Sequence, residues 1–364
     1  MTLSTDAVSL PSDPSWVADG RPVTPHRSAV RRSRTLRGSS PCEWDIRSPS
    51  RPVLSVPRGI VSPMTTIDQV TWLDVPVHGP FDLTASARFL EGFAPAARAD
   101  AASRPGELRL AFPVAPSWRP VGVLVKQPTP HGPVRMAVRG EPSDVDHAVT
   151  AARRILSLDV DATDFVTVGA RDPVAGELQA RYPGLRPVAF HSPYEAACFV
   201  IIGHRIRMTQ AATIKRNLAI ELGRSVDVHG VVLPVFPSPA VLRAVPQVPM
   251  VSELKSDRLK AVAEAAEAGR LDASELRSLP VPEALARLKT LPGIGDFSAE
   301  LVLLRGAAHP DGFPEAETRL HDEMRRVYPV GTKAELREVA EEWRPFRTWV
   351  SLLLRVQRED RNET

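Results

Sequence analysis

The chain has 364 residues, 43% of them hydrophobic, with a formal net charge of +3, which is enough length and apolar content for two domains with a sizeable core. No run approaches 18 consecutive apolar residues, so no transmembrane helix is expected, and two widely spaced cysteines argue against a disulfide scaffold and suit a reducing cytoplasm. Charge is unevenly placed: residues 1–63 hold nine arginines, no lysine and five acids, a net of +4, which leaves about −1 for the remainder. Nucleic-acid binding by that remainder would have to rest on local placement of arginines and backbone amides rather than on overall charge.

In chain order, residues 1–63 are rich in Pro, Ser and Arg without apolar periodicity, and are expected to be a disordered leader. No apolar segment follows a basic start, so a signal peptide is not expected. The run Arg31-Arg32-Ser33-Arg34 reads either as a loose DNA-binding arm or as part of a functionless tail, with Met64 as an alternative start. Residues 64–150 read as a small α+β domain: a strand over 69–75, a helix over 84–92, and antiparallel strands over 107–114, 121–127 and 134–139. From Asp144 the pattern turns helical, first over 144–156, and stays so through a domain spanning 151–358, broken by a proline-rich loop at 231–249. Leu254–Lys260 opens an amphipathic helix whose Lys255 and Lys260 read as DNA-facing or simply solvated. Residues 359–364 are expected to be a tail. The fold class is therefore α+β: a small antiparallel β-sheet domain followed by an all-α domain in two subdomains.

Residues 281–306 carry the functional signal. Val281–Thr290 has the spacing of an amphipathic helix, and a second helix reads from Ser298. Between them lies Leu291-Pro292-Gly293-Ile294-Gly295. Pro292 fixes φ at the entry to a tight turn, and two glycines let backbone N–H groups approach an anion beside a helix N-terminus. Gly293, Gly295 and the Ser298 amide are the expected phosphate contacts, a grip on the DNA backbone without base readout. The bland alternative is a plain helix–turn–helix packing corner.

With these residues in view, the chain resembles the helix-hairpin-helix DNA glycosylase superfamily, most closely the bacterial 3-methyladenine DNA glycosylase II branch. The resemblance runs from about Phe190 to Leu354. It rests on the hairpin, on the loop beginning at Asp311, on Ser192–Ala197 running through Ile201–Ile206 to Gln210–Ala212, and on Trp343-Arg344-Pro345-Phe346-Arg347. The segment 192–212 looks like the family's helix that enters the minor groove, and 343–347 is similar to its closing helix. The resemblance implies that His204, Arg205 and Arg207 meet DNA. His204-Arg205 stands where the family usually has glutamine and a wedge residue, which puts the plugging role in doubt. The grip is compatible with a monovalent cation on the carbonyls of Leu291 and Gly293; no other metal and no cofactor is expected.

The family places an aspartate in a Phe-Pro-x-x-Asp pattern; counting from Phe313-Pro314, this chain has Glu317 there. A carboxylate at that point would stabilise an oxocarbenium-like sugar as an N-glycosidic bond breaks. Glutamate is one methylene longer, so Glu317 is either a working carboxylate on an adjusted backbone or a sign of weakened catalysis. Glu315 is the competing acid, and His321 reads as a general acid or as a surface or capping histidine. Bifunctional members carry a lysine just after the hairpin. Phe297 occupies that position, which implies a monofunctional enzyme, and Phe297 is either a wall for a flipped base or a core residue. Cys42 and Cys198 are too few for a four-cysteine iron–sulfur cluster. The expected function is removal of a damaged, alkylated purine from double-stranded DNA by a monomer in the cytoplasm, nucleoid-associated in a bacterium. The alternative is a non-catalytic damaged-DNA-binding protein on the same fold.

Overall fold

A computed structural model describes residues 71–96 and 100–363 of the chain. The expected leader, the arginine run within it and Met64 lie outside the described residues, as does the start of the strand expected from residue 69. The architecture is mixed: mostly helical, with one small antiparallel sheet. The sheet is built from β1 (Leu73–Val75), β2 (Glu107–Val114), β3 (Arg119–Lys126) and β4 (Val134–Arg139), in the order β1-β4-β3-β2, with α1 (Leu83–Gly92) between β1 and β2. In register, Leu110 faces Val123 on β3, and Val123 faces Val138 on β4.

The sheet is buried on both faces, so β2 is buried along nearly its whole length, including Arg109, rather than on alternate residues. Leu108, Leu110, Phe112, Val121, Val123 and Val125 join the main core with Ala148 and Ala152 of α2 (Val145–Ile155). On the other face Ala111 and Leu124 meet Val228, Leu233 and Val235. Those last three belong to a hairpin of β5 (Arg224–Asp227) and β6 (Val232–Val235) that the helical reading of this region did not contain. Its proline-rich surroundings mask two short β-branched strands turning at His229 and Gly230, both at positive φ. The hairpin packs so closely that a Cβ on Gly122 would stand 2.6 Å from Val228 Cγ2.

The remaining helices are α3 (Phe165–Arg171), α4 (Pro173–Arg181), α5 (Pro193–Gly203), α6 (Met208–Glu221), α7 (Pro239–Ala244), α8 (Glu253–Glu267), α9 (Ala273–Ser278), α10 (Val281–Lys289), α11 (Asp296–Leu301), α12 (Thr318–Val327), α13 (Lys333–Glu341) and α14 (Arg347–Glu363). The proline-rich stretch 231–249, expected to be loop, thus contains β6 and α7. Residues 359–363, expected as a tail, continue α14, where Tyr182 Oη donates to Asp360 and Arg361 pairs with buried Glu323.

Every residue of α5 is buried, as its unbroken apolar composition demands. With α8, α10 and α11 it shares the main core with the sheet. A second apolar cluster gathers α3, α4, α12, α13 and α14 around Leu320, Met324, Trp343, Phe346 and Trp349. Asp172 holds that cluster together. One of its oxygens caps α4, accepting from the amides of Val174 (2.9 Å) and Ala175 (3.3 Å). The other accepts from Trp343 Nε1 and from Tyr328 Oη, each at 2.6 Å. Asp172→Ala removes a cap and strands two inward-facing donors, so we expect a loss of roughly 2–5 kcal/mol, read as a lower urea midpoint at unchanged slope.

Candidate active site

The hairpin between α10 and α11 is pinned from beneath and open above. Leu291 and Ile294 are buried, and Ile294 N–H donates to the Leu291 carbonyl at 3.1 Å. Pro292 and Gly295 are exposed. Gly293 has φ +87, and a Cβ there would sit 2.8 Å from Arg258 Cδ, so conformation and space both call for glycine. Nothing lies within 4 Å of a Cβ built on Gly295, which caps α11; that side is free for a ligand. The helix starts at Asp296, two residues before the sequence pattern suggested, because Gly295 is its cap. The Ser298 side chain is consequently buried, and its contribution to the turn is an amide in the first helical turn, where N–H groups lack helical acceptors. Asp296 brings an exposed carboxylate into the turn, which the sequence reading missed; Lys289 Nζ pairs with it at 2.9 Å. Among the described residues, no group of three or more His, Cys, Asp or Glu side chains is placed to hold a metal ion.

The turn from α5 to α6 flanks the same helix as the hairpin. Arg205, at φ +57, and Arg207 are exposed. His204 is half-buried, and burial, then the charges of Arg258, Lys255 and Arg205, push its pKa down, so it is neutral at pH 7. Lys255 is not directed outward: its Nζ donates to the carbonyls of Ile202 and His204, both at 2.8 Å, closing the C-terminal end of α5. Lys260 Nζ is likewise bound to the Pro246 carbonyl at 2.6 Å.

Glu317 stands just before α12 and lines a cavity of about 80 Å³ with Phe297 and Glu300 from α11, Arg305 from the π-turn at Val302–Gly306, Phe89 and Phe93 from α1, and Ser351 and Arg355 from α14. The cavity therefore draws its walls from both apolar clusters. The Glu317 side chain is 14% exposed, and Arg355 Nε lies 3.5 Å from Glu317 Oε1. Glu315 is elsewhere, exposed and paired with Arg337. His321 is buried, stacked on Phe313 and outside the cavity lining; burial pushes its pKa down. Phe297 is half-buried, its ring at the cavity wall.

The loop carrying Glu317 is fixed at both ends. Asp311 pairs with Arg344 (2.6 Å) and Arg347 (2.8 Å), and Thr348 Oγ1 accepts from Gly312 N–H (3.0 Å) while donating to the His309 carbonyl (2.8 Å). At the other end Glu300 accepts from the Ala316 amide at 3.0 Å. Burial pushes the Glu300 carboxyl up to about 7, against the opposing pull of that amide. Asp311, Arg344 and Arg347 figured in the resemblance without this role, whereas Glu300, Thr348 and the two cavity arginines were not singled out from sequence. Their signal there is weak, since arginines 50 positions apart read as separate solvated charges.

No family model matches the chain. Over 205 residues it is 25% identical to DNA-3-methyladenine glycosylase of Bacillus subtilis (strain 168), covering 54% of this chain and 67% of that protein. Over 182 residues it is 30% identical to DNA-3-methyladenine glycosylase 2 of Escherichia coli (strain K12), covering 49% of this chain and 62% of that one. The chain thus spans about two thirds of the first relative and less of the second. Among solved structures, the 3-methyladenine DNA-glycosylase from Archaeoglobus fulgidus superposes with a TM-score of 0.63 at 19% identity, over 78% of this chain and 96% of that one. That likeness fixes the fold, and both sequence relatives are DNA-3-methyladenine glycosylases, which this chain resembles over about half of its length.

Proposed function

We propose that this chain is a monofunctional DNA N-glycosylase that flips a damaged, alkylated purine out of duplex DNA and removes it by hydrolysis. One observation carries the reading: Glu317 and Phe297, each picked out by the family resemblance at a different motif position, line one cavity beside the hairpin. In this reading two helical subdomains flank the cleft, with the hairpin amides around Gly293, Gly295 and Ser298 on the phosphates and His204, Arg205 and Arg207 toward the groove. A monovalent cation on the carbonyls of Leu291 and Gly293 would add to the grip. The protein acts as a monomer on the chromosome, in the cytoplasm. No helix among the described residues is long and apolar enough to cross a membrane.

The chemistry asks little of the protein. The bond from C1′ to the base nitrogen breaks and its electrons leave with the base. The sugar becomes oxocarbenium-like, and water then bonds to C1′ and gives up a proton, leaving an abasic site. Glu317 supplies negative charge where positive charge develops. At about 4 Å and an effective dielectric of 20 that interaction is about 4 kcal/mol, some three decades in rate if realised in the transition state. A lyase step needs an amine, and no lysine lines the cavity among the described residues.

On methylated duplex DNA the wild type should release alkylated bases. Glu317→Gln should lower the single-turnover rate by about a thousandfold while affinity for an abasic duplex stays within a few-fold. Equal activity would remove Glu317 from the mechanism, and tight binding without release by the wild type would turn the protein into a damaged-DNA binder. The hairpin is tested separately. Gly293→Val should weaken binding to any duplex by about tenfold with little change in salt slope, because the lost contacts are amides. Arg205→Ala and Arg207→Ala should each reduce the slope by about one. Loss of slope in Gly293→Val instead would mean that the turn itself binds through its cations.

A further inference from the structure

The turn from α5 to α6 offers cations and no exposed apolar side chain. Arg205 and Arg207 are exposed and His204 is half-buried, while Ile206 and Met208 pack against the main core. Flipping a base leaves a gap in the stack, and proteins that open a base step from the minor groove commonly fill it with an apolar wedge. A wedge for this chain has to come from a neighbouring element.

The start of α8 is that neighbour. Lys255 locks it to the end of α5 by holding the carbonyls of Ile202 and His204. Leu254, next to that lysine, is 60% exposed and belongs to none of the apolar clusters among the described residues. The exposed Val166, Ile220 and Val232 lie elsewhere, on α3, α6 and β6. Helical spacing puts Arg258 one turn beyond Leu254 on the same face. Arg258 reaches the hairpin, where a Cβ on Gly293 would lie 3.1 Å from its Nε and 3.3 Å from its Cζ. Its charge also acts on His204. Among the described residues, no hydrogen bond or ion pair engages its guanidinium. The acids of this turn, Glu253 and Asp257, are exposed and fall on the other side of Leu254 by the same spacing.

We infer that the start of α8 is a further DNA-contacting element, with Arg258 on a phosphate beside the hairpin and Leu254 as the apolar wedge that fills the gap left by a flipped base. This rests on the base-flipping reading. The face is continuous with the hairpin and with the α5–α6 turn, and it pairs a cation for a phosphate with an apolar side chain for the stack, which commits it to duplex DNA. The two contacts act differently. Burying a leucine side chain is worth roughly ten- to a hundredfold in affinity, and here only where a gap exists. A phosphate contact strengthens binding to any duplex and adds to its salt dependence.

Titrations of the full chain onto a duplex with a central tetrahydrofuran abasic site, and onto the same duplex undamaged, separate the two contacts. The wild type should prefer the abasic duplex. Leu254→Ala should cut affinity for it by about tenfold or more while the undamaged duplex changes by less than about twofold, and Leu254→Met should keep most of the preference. Arg258→Met should weaken both duplexes alike and lower the salt slope by about one, whereas Arg258→Lys should keep the slope. Leu254 is exposed, so Leu254→Ala should retain the wild-type urea midpoint, which separates lost contact from lost fold. A wild type indifferent to the abasic site, equal losses on both duplexes in Leu254→Ala, or an unchanged slope in Arg258→Met would each overturn the inference. A Leu254→Ala effect confined to self-association would do so too, making the face a contact between copies. Base release from methylated DNA separates the two claims. Release by the wild type, with an abasic preference that survives Leu254→Ala, sinks only the wedge; an abasic preference that Leu254→Ala abolishes, without any release, sinks only the enzymatic reading.

Discussion

The site depends on how one loop is clamped. A glutamate can stabilise a developing cation only where its carboxylate is held within a fraction of an ångström, and residues 309–317 have no secondary structure to hold it. The clamp comes from outside the loop. Arg344, just before α14, and Arg347 and Thr348 at its start take one end, and Glu300 on α11 takes the other. The same two helices supply the cavity walls, so the element that positions the carboxylate and the element that shapes the space in front of it are one. Arg355, two turns along α14 from Thr348, lies 3.5 Å from the Glu317 carboxylate.

Much of this was legible in the sequence, for local reasons. The strands at 107–114 and 134–139 and the helices near 84–92 and 281–289 follow from hydrophobic period and from the glycines and prolines between them. The hairpin was readable because Pro292 and Gly293 mark a turn, and Gly293 is needed there by backbone geometry. Glu317 was readable through the resemblance, as the residue at the aspartate position of a Phe-Pro-x-x-Asp pattern.

What escaped was non-local. The β5–β6 hairpin is too short and too surrounded by proline to announce itself, and it exists because the second face of the sheet needs a cover. Lys255 read as DNA-facing or simply solvated and is a clamp on carbonyls, a role visible only once α5 and α8 are side by side. Arg305 and Arg355 belong to different helices and become one feature when the two apolar clusters close around the cavity. Asp172 drew no reading from the sequence, yet one of its oxygens caps α4 and the other accepts from Tyr328 and Trp343, more than 150 positions away.

The covering of the sheet has a consequence for how this chain meets other molecules. With α2 on one face and the β5–β6 hairpin on the other, the sheet has no free face to offer. Its long outer strand, β2, contains Pro113, which has no N–H to give to an incoming strand, and the opposite outer strand, β1, is three residues long. The β part is thus a poor template for strand addition and shields the chain from edge-to-edge self-association.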